Sequence, residues 1–318
     1  MARIVVIGGS GHVGGYLVPH LVEGGHDVVN VTRGQQAPYR GHSAWAQVQQ
    51  VTLDREVEEA AGTFGAKIAD LGGEIVIDMI CFTLDSAKHI VESLQGRVSH
   101  FLHTGTIWVH GHSLSTPTRE ADPRAPYGEY GVQKSLIEDY LLLHARRTGF
   151  PATVVRPGHI VGPGWEPLNP LGNFNVGAFG TIARGARLVL PNLGLETVHH
   201  VHAEDVAQVF WRSIDRPSAS IGEQFNAVSE QAVTLRGFAE AMYRWHGHMP
   251  DLGFAPFDEW AKEHSAADAD ATLEHIGRSP CHSIGKARDL LGYHPRHTSL
   301  QAIQEAVTWL MQQGVIET

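Results

Sequence analysis

A tyrosine and a lysine four residues apart are the first side chains in this sequence whose spacing suits proton transfer. Tyr130 and Lys134 stand in Tyr-Gly-Val-Gln-Lys within a helical pattern, where residues i and i+4 share one face. A free tyrosine has a pKa of about 10, and a neighbouring ammonium lowers that value because it favours the phenolate. We predict that Tyr130 transfers a proton and that Lys134 assists it. An amphipathic surface helix would show the same spacing.

A threonine hydroxyl is placed to join this pair. Thr106 follows the predicted strand His100–Thr104, and side chains at the carboxyl end of a buried strand point into the crevice of a parallel sheet. A hydroxyl there can hydrogen-bond a substrate oxygen beside the tyrosine. Taken alone, Thr106 would be interpreted as a turn residue.

A glycine-rich turn joins the first predicted strand to the first predicted helix. It reads Gly-Gly-Ser-Gly-His-Val-Gly over 8–14 and fits GxxGxxG. Glycines permit a tight turn and a close approach to a pyrophosphate, which the helix N-terminus then binds through its amides. We predict a dinucleotide site with contacts from Gly8, Gly11, His12, Val13 and Gly14. An oxidised nicotinamide there would be a second cation lowering the pKa of Tyr130.

The end of the second strand bears on which dinucleotide binds. Thr32-Arg33 stands where an NAD site usually has an acidic residue for the ribose. A guanidinium can pair with a 2′-phosphate, so the sequence slightly favours NADP over NAD, although a solvated arginine is common at a strand end. Asp54 is a candidate for the adenine amine, or else a surface aspartate in a turn. Other candidates at strand ends are Met79, Ile80, Thr104, Pro157 and His159.

The elements that must position these residues alternate in the first half of the chain. Predicted strands are Arg3–Ile7, Val28–Thr32, Gln47–Leu53, Glu74–Met79, His100–Thr104 and Ala152–Arg156. Predicted helices are Val13–Glu23, Arg55–Leu71, Thr83–Leu94 and Tyr130–Arg146. Apolar, β-branched strands alternating with helices predict an α/β fold with a doubly wound parallel (Rossmann) sheet.

The alternation is lost after Pro157. Residues 157–198 are rich in Gly, Pro and Asn around a short helix near 178–185, the segment 247–282 is irregular, and 284–313 predicts two helices. We expect a dinucleotide-binding domain over 1–163, with 199–230 returning to it. Segments 164–198 and 231–318 would form a smaller, mixed α/β substrate-binding lobe.

Five ordered motifs together resemble the extended short-chain dehydrogenase/reductase family, in its sugar-nucleotide epimerase/dehydratase branch. They are the glycine turn, the Thr106 segment, Tyr-x-x-x-Lys, Arg156-Pro-Gly-His159 and His202-Ala-Glu-Asp205, and the resemblance extends to the C-terminal Lys286–Pro295 and Trp309. It implies that Tyr130 transfers the proton, that Lys134 binds the nicotinamide ribose and lowers the tyrosine pKa, and that Thr106 orients a sugar hydroxyl. The implied activity is epimerisation or dehydrogenation of a sugar or nucleotide sugar through a keto intermediate.

Three departures from the family pattern affect the substrate. Ile107-Trp108 replace the Asp-Glu pair of the dehydratases, so dehydration is not expected. Val198 stands where epimerases commonly have an arginine for the nucleotide diphosphate, and His159 aligns with a family asparagine. Nucleotide sugars, free sugars and sugar acids all stay open. The candidate substrate residues are Thr106, His159, His199, His200, Arg278 and, as a further anion contact, Arg187.

Composition narrows the class of protein. The formal charge of −10 over 318 residues disfavours a nucleic-acid partner bound through its phosphates, although the 21 His would cancel much of this charge at moderately acidic pH. Two cysteines favour a reducing compartment. With no apolar run of membrane length and no leader, the expectation is a cytoplasmic protein that contacts no membrane. Alternatives are an NADPH-dependent carbonyl reductase and a non-catalytic or RNA-associated relative that binds the cofactor.

Two further expectations concern metals and assembly. Histidine pairs at 110/112, 199/200/202 and 246/248 have no accompanying Cys cluster or HExxH, so no metal is expected. Family members often pair through two helices, here 83–94 and 130–146. The second helix has more apolar residues than one buried stripe needs, so a homodimer is expected, the alternative being a thickly buried helix in a monomer. Those residues are Leu136, Ile137, Tyr140, Leu141 and Leu143.

Overall fold

A seven-stranded parallel sheet forms the centre of the protein in a computed structural model that describes residues 1–317. In chain order its strands are β1 (Arg3–Ile7), β2 (Asp27–Thr32), β3 (Gln49–Thr52), β4 (Ile75–Asp78), β5 (His100–Thr104), β6 (Ala152–Pro157) and β7 (Gln224–Ala227). Their spatial order is β7-β6-β5-β4-β1-β2-β3. The predicted doubly wound α/β fold is confirmed, and the predicted bounds of β1 and β5 coincide with those observed.

The strand order reverses beside β1. In the sheet register, Ile7 at the end of β1 lies opposite Val31 of β2 on one side and Asp78 of β4 on the other. The chain runs outward from β1 to β3 and then crosses back to β4. Ligands of open α/β sheets bind outside the carboxyl ends of the strands at such a reversal. The glycine turn, which follows β1, therefore lies at the expected crevice.

Five helices connect the strands of the first half. They are α1 (Gly14–Glu23), α2 (Arg55–Ala60), α3 (Phe64–Asp70), α4 (Leu84–Leu94) and α5 (Glu129–Thr148). The single helix predicted over 55–71 is wrong, because Gly62 adopts a φ of +69° between α2 and α3 and ends the first of them. Helix α5 runs two residues beyond the predicted end at Arg146 and stops at Gly149, which is left-handed with a φ of +73°.

The C-terminal half contains more regular structure than the sequence indicates. Its helices are α6 (Gly177–Ala183), α7 (Ala203–Asp215), α8 (Pro217–Ser220), α9 (Leu235–Trp245), α10 (Phe257–Trp260), α11 (Ala266–Arg278), α12 (Gly285–Leu291) and α13 (Ser299–Gln312). Three short strand pairs join His159–Val161 to His200–His202, Thr197–Val198 to Val233–Thr234, and Leu188–Pro191 to Leu252–Ala255. The irregular segment predicted over 247–282 is wrong, because α11 occupies thirteen of its residues.

Three hydrophobic cores hold these elements together. Alternate residues of β1 face opposite ways, so that Ile4 and Val6 pack under α1 and α7 while Val5 and Ile7 pack under α3, α4 and α5. The third core lies wholly within 161–316 and joins α6, α9, α11 and α13. Strand β7 rejoins the central sheet beside β6. Among the helices within 1–317, none combines the length and the apolar character that crossing a bilayer requires.

Candidate active site

The glycine turn after β1 is so compact that two of its positions exclude any larger residue. Gly8 has a φ of +85°, and a Cβ atom there would lie 2.7 Å from Ile80 Cγ2. A Cβ atom at Gly14 would lie 2.0 Å from the carbonyl oxygen of Gly9. The turn thus brings bare backbone to the start of α1, where amides carry partial positive charge. This cradle fits the pyrophosphate of a dinucleotide.

A cavity of about 710 Å³ opens beside this turn. Its lining includes Gly8, Gly11, Arg33, Asp54 and Ile80, all predicted from the sequence, together with Ser10, Thr32, Phe64, Phe82, Thr83 and Ser86. Arg33 is exposed and has no ion pair within the described part of the chain. The Asp54 carboxylate caps α2 by accepting hydrogen bonds from the amides of Glu56 and Val57 through Oδ1. Asp54 therefore has a structural role as a helix cap. Its predicted contact with adenine would have to be made while it keeps these capping hydrogen bonds.

Two predicted cofactor residues point their side chains elsewhere. The His12 ring stacks on Trp165 at 5.3 Å between centroids and lines a separate cavity of about 340 Å³. The Val13 side chain packs into the core under α1. The side chains diverge because successive residues entering a helix project about 100° apart. Contacts of His12 and Val13 with the cofactor would therefore come from their backbone amides, and they stay a prediction.

A buried ion pair, missed by the sequence analysis, lies at the cavity floor. Asp78 ends β4 and is fully buried, and its carboxylate accepts hydrogen bonds of 2.8 and 3.0 Å from Nη1 of Arg55. Arg55 also donates to Glu59, and its pKa is raised because Asp78 and Glu59 outweigh the effect of burial. A lone carboxylate ending an apolar strand was the available signal, since a buried charge needs a partner.

Lys134 lies beneath the site and its ammonium is directed at backbone oxygens. Nζ donates to the carbonyl oxygens of Cys81, at 2.8 Å, and Thr104, at 2.6 Å, and is 5.9 Å from the centre of the Tyr130 ring. Burial lowers the pKa of Lys134 to about 8. Nζ is also 4.9 Å from the ring of Phe82, which lines the cavity. The lysine thus joins the cavity to the catalytic end of the crevice.

Tyr130 and Thr106 meet at the carboxyl edge of the sheet. The Thr106 oxygen accepts a hydrogen bond from the Trp108 amide. Desolvation raises the pKa of Tyr130, and the nearby Thr106 hydroxyl opposes that shift. The Lys134 ammonium does not offset the desolvation. A lowered tyrosine pKa therefore stays a prediction for the protein with its cofactor bound.

The other strand-end candidates are placed as follows. The Met79 amide donates to Ile7 across β1, and its side chain packs against the core under α1. The Thr104 hydroxyl is buried without a partner, and its carbonyl accepts the lysine bond. Pro157 ends β6 next to His159, which begins the following short strand.

An aromatic wall adjoins Tyr130. The Trp108 ring meets Tyr130 edge-on at 5.8 Å, His159 at 6.4 Å and His275 at 5.3 Å. His159 in turn lies 5.7 Å from His200. Neither Trp108 nor His275 was predicted as a site residue. His275 comes from α11, a segment that was predicted to be irregular. We call Trp108, His159, His200 and His275 the wall.

Two predicted substrate residues, Arg278 and His199, are buried and have their side-chain polar atoms engaged within the protein, except for Arg278 Nε, so their substrate contacts stay a prediction. Arg278 is 2% exposed, its guanidinium lies 3.7 Å from the Trp108 ring centre and 3.9 Å from that of Tyr127, and it donates to the carbonyl oxygens of Glu274 and Tyr127. His199 is fully buried, with Nε2 bonded to the Ser229 carbonyl and Nδ1 accepting from the His282 amide. Arg187 is exposed at a cavity of about 870 Å³ in the C-terminal lobe.

The histidine pairs noted in the sequence do not cluster with one another as metal ligands. The structure instead brings His202, His297 and Glu305 together, with ligand atoms within 4.8 Å of one another. His202 Nδ1 accepts a hydrogen bond from the Glu204 amide, so its proton resides on Nε2, 3.2 Å from Glu305 Oε2. A protonated Nε2 offers no lone pair to a metal. We interpret the cluster as a network of hydrogen bonds and ion pairs.

Comparison with known proteins finds a match to a family of NAD-dependent enzymes. The model of the NAD dependent epimerase/dehydratase family matches residues 4–227. The chloroplast stem-loop binding protein of 41 kDa b from Arabidopsis thaliana is 24% identical, over 96% of this chain and 78% of that protein. The dTDP-6-deoxy-L-talose 4-dehydrogenase (NAD(P)(+)) of Kitasatospora kifunensis is also 24% identical, over 96% of this chain and 95% of that protein.

Solved structures share the fold over nearly the whole chain. The UDP-glucose 4-epimerase of Thermotoga maritima, solved with UDP-glucose, superposes with a TM-score of 0.73 at 20% identity and covers 98% of this chain and 99% of its own. The UDP-glucuronic acid 4-epimerase of Bacillus cereus, solved with UDP-glucuronic acid and NAD, gives 0.73 at 16% identity with 98% and 99% coverage. At such identities the likeness establishes the fold.

Proposed function

We propose that this chain, which belongs to the NAD-dependent epimerase/dehydratase family, is a sugar epimerase or dehydrogenase in which Tyr130 moves the proton. It is an enzyme of the epimerase and oxidoreductase type. The observation that carries the proposal is the position of the Lys134 ammonium, 5.9 Å from the centre of the Tyr130 ring and 4.9 Å from that of Phe82, which lines the cofactor cavity. When bound, an oxidised nicotinamide would accept the hydride of the carbinol carbon.

The chain's own residues supply the remaining chemistry. The Thr106 hydroxyl orients the substrate hydroxyl toward the Tyr130 oxygen, which takes its proton as the carbonyl forms. Lys134, fixed by two backbone carbonyls, holds positive charge beneath the phenolate and next to the expected position of the ribose. Return of the hydride to the opposite face of the keto carbon, with the proton returning from Tyr130 to the oxygen, would give the epimer. Release of the keto intermediate would give the oxidised product.

Substitution of Tyr130 tests the proposal. Tyr130→Phe removes only the phenolic oxygen, so we expect turnover to fall by about 10²–10⁴-fold while cofactor affinity is retained. Turnover is followed by the absorbance of the reduced nicotinamide and, for epimerisation, by chromatography of the sugars. Tyr140→Phe, on the same helix and away from the crevice, is the matched control. Near-parental turnover in Tyr130→Phe would show that the chain keeps the fold without the chemistry.

The choice of NADP over NAD, the substrate lobe and the dimer are parts of the same proposal. Arg33 supports NADP because it lines the cavity, is exposed and has no acidic partner within the described residues. The core within 161–316 supports a substrate lobe formed by the C-terminal segments. Exposed Val132, Leu136 and Leu143 on α5 support a homodimer. A carbonyl reductase with NADPH would use the same residues in the reverse direction.

One relative favours a second candidate function. The similarity to a stem-loop binding protein extends over 96% of this chain, which keeps an RNA-associated role under consideration. The formal charge of −10 weighs against it, because binding through RNA phosphates needs clustered cations. Filter binding of a stem-loop RNA at low salt separates the two candidates, since tight binding that falls steeply with salt would support the RNA role.

A further inference from the structure

The wall beside Tyr130 contains buried ring nitrogens of His159 and His200 that have no hydrogen-bond partner among the described residues. Trp108 contacts the catalytic tyrosine, and His159 and His200 continue the wall away from it. His159 follows β6 and Thr106 follows β5, which are neighbouring strands of the sheet, so both residues lie at the same carboxyl edge. A substrate held by Thr106 and Tyr130 would therefore pass along these histidines.

The wall histidines are electrically neutral at physiological pH. Burial lowers the pKa of His200 to about 3 and that of His159 well below its ordinary value. Burial also lowers the pKa of His275, and repulsion among the three rings adds to the shift of His159. A cluster of desolvated imidazoles this close together cannot hold several charges. The wall therefore offers no imidazolium to an anion.

The hydrogen-bonding partner of His200 determines what the wall can recognise. Its Nε2 lies 3.0 Å from the Leu168 carbonyl oxygen, which only accepts, so Nε2 carries the proton and Nδ1 keeps a lone pair. That Nδ1 is buried and has no partner, and neither ring nitrogen of His159 has one. A lone pair accepts from a hydroxyl, whereas a phosphate oxygen is itself an acceptor. The lone pair of His200 Nδ1 therefore favours a hydroxyl donor, and His159, a neutral imidazole with one N–H and one lone pair, suits a hydroxyl group that both accepts and donates.

The cations next to the wall have most of their donors engaged. Arg278 is held between Trp108 and Tyr127 and donates to two carbonyl oxygens, while its buried Nε has no partner among the described residues. Lys134 donates to two more, and Arg156 is paired with Glu138. A phosphate group placed there would be a dianion with few free donors in a dry site, which is unfavourable.

We propose that the substrate is an uncharged polyhydroxylated molecule, such as a free sugar, whose hydroxyl groups donate to His159 and His200. This inference rests on the proposed function and names its substrate class. An uncharged sugar of this kind differs from the nucleotide sugars in the similar epimerase structures. The cavity of the C-terminal half is lined by Arg184 and Arg187 beside Glu259 and Glu263, and these arginines are cations at which a nucleotide would have to be held.

Two measurements on the cofactor-loaded protein test the substrate class. In calorimetric titration we expect UDP and UDP-glucose to show no saturable binding, which corresponds to a Kd above about 1 mM. Saturable binding with a Kd near 10 µM that is lost in Arg187→Ala would overturn the proposal. In turnover, free hexoses, pentoses and polyols should include a substrate with a kcat/KM about 100-fold or more above that of UDP-glucose. An equal or higher kcat/KM for UDP-glucose would also overturn it.

Variants separate this inference from the proposed function. His200→Leu removes the unpartnered acceptor, and we expect it to raise KM for the free sugar about tenfold while the affinity for the cofactor is unchanged. An unchanged KM in both His200→Leu and His159→Leu would overturn the role of the wall. Turnover that disappears in Tyr130→Phe supports the proposed function for either substrate class. Turnover that persists in Tyr130→Phe contradicts that function whichever sugar is used.

Discussion

Arg33 is exposed at the end of a strand, where it lines the cofactor cavity, and its guanidinium forms no ion pair with the other described residues. We expect NADP(H) to bind more tightly than NAD(H), because a 2′-phosphate forms a charge-assisted contact with this side chain. Arg33→Ala should narrow the difference by about 1–3 kcal/mol, as measured by calorimetric titration of both cofactors. Arg40→Ala is the control, since Arg40 lines the separate cavity beside Tyr16. A parent protein that prefers NAD(H) would refute the assignment.

Single residues were predictable from the sequence where their function depends on local spacing. Tyr130, Lys134 and the glycine turn each occupy one short segment, and the structure brings them to the same edge of the sheet. The packing of Arg278 against Tyr127 was not predicted, because the two residues are 151 positions apart in the sequence. No periodicity in either segment reveals that contact. The Arg55–Asp78 ion pair was not predicted for the same reason, since its partners are 23 residues apart.

At the scale of elements, helix α11 shows why the C-terminal half was harder to predict. Its buried stripe consists of Ala269, Thr272, His275, Ile276 and Arg278, of which only Ile276 is a large apolar residue. Hydrophobic periodicity, the main signal of a helix, is therefore weak. The N-cap Ser265, which accepts from the Asp268 amide, was the available signal. Helix α9 has stronger sequence signals, because Thr234 caps a strongly amphipathic segment.

His297 connects two helices of the C-terminal half. Its Nδ1 lies 3.3 Å from Asp205 in α7 and its Nε2 lies 3.8 Å from Glu305 in α13. The hydrogen bond with Asp205 raises the pKa of His297. A histidine with a raised pKa stabilises the fold fully below the unfolded value of about 6.5 and loses that contribution as pH rises through the folded value.

Substitution of His297 tests this connection between α7 and α13. We expect His297→Gln to lower the free energy of unfolding most below pH 6.5, with a difference from the parent that shrinks as pH rises. Urea denaturation at several pH values measures it. His294→Gln, an exposed histidine three residues earlier, is the control. A difference that is constant across pH would show that His297 contributes packing alone.

The whole molecule contains a set of buried histidines whose effect on stability depends on pH in the opposite direction to that of His297. Burial lowers the pKa of each of them, so the unfolded chain binds protons that the folded chain does not. The free energy of unfolding should therefore fall as pH drops below about 6.5, and continue to fall toward about 4 and 3, the folded values of several members. Denaturation midpoints at pH 7 and pH 5 measure this. Equal midpoints would contradict it. The set is His12, His100, His103, His110, His159, His199, His200, His202 and His282.

Assembly is also a property of the whole molecule. Of the apolar residues singled out on α5, Ile137 and Leu141 are fully buried, whereas Leu136 and Leu143 are 41% and 45% exposed. With Val132 they form one exposed stripe at helical spacing. We expect a homodimer, measured by light scattering against the chain mass of 34.7 kDa.

Charged substitution of the α5 stripe tests the dimer. Leu136→Glu should give a monomer, because it places a charge in a desolvated interface. Leu193→Glu, at an exposed apolar residue far along the chain, should leave the mass unchanged. A parent protein that scatters as a monomer over a wide concentration range would contradict the expectation.

The insertion of Arg278 between Trp108 and Tyr127 has an optical consequence. The guanidinium comes from α11, while both rings flank the catalytic residues, so any separation of the C-terminal half from the sheet must unstack them. Indole emission responds to contact with a cation and to exposure to water. Because the chain has seven tryptophans, the difference in emission between the parent protein and Trp108→Phe would report any separation of the C-terminal half from the sheet, without an attached label.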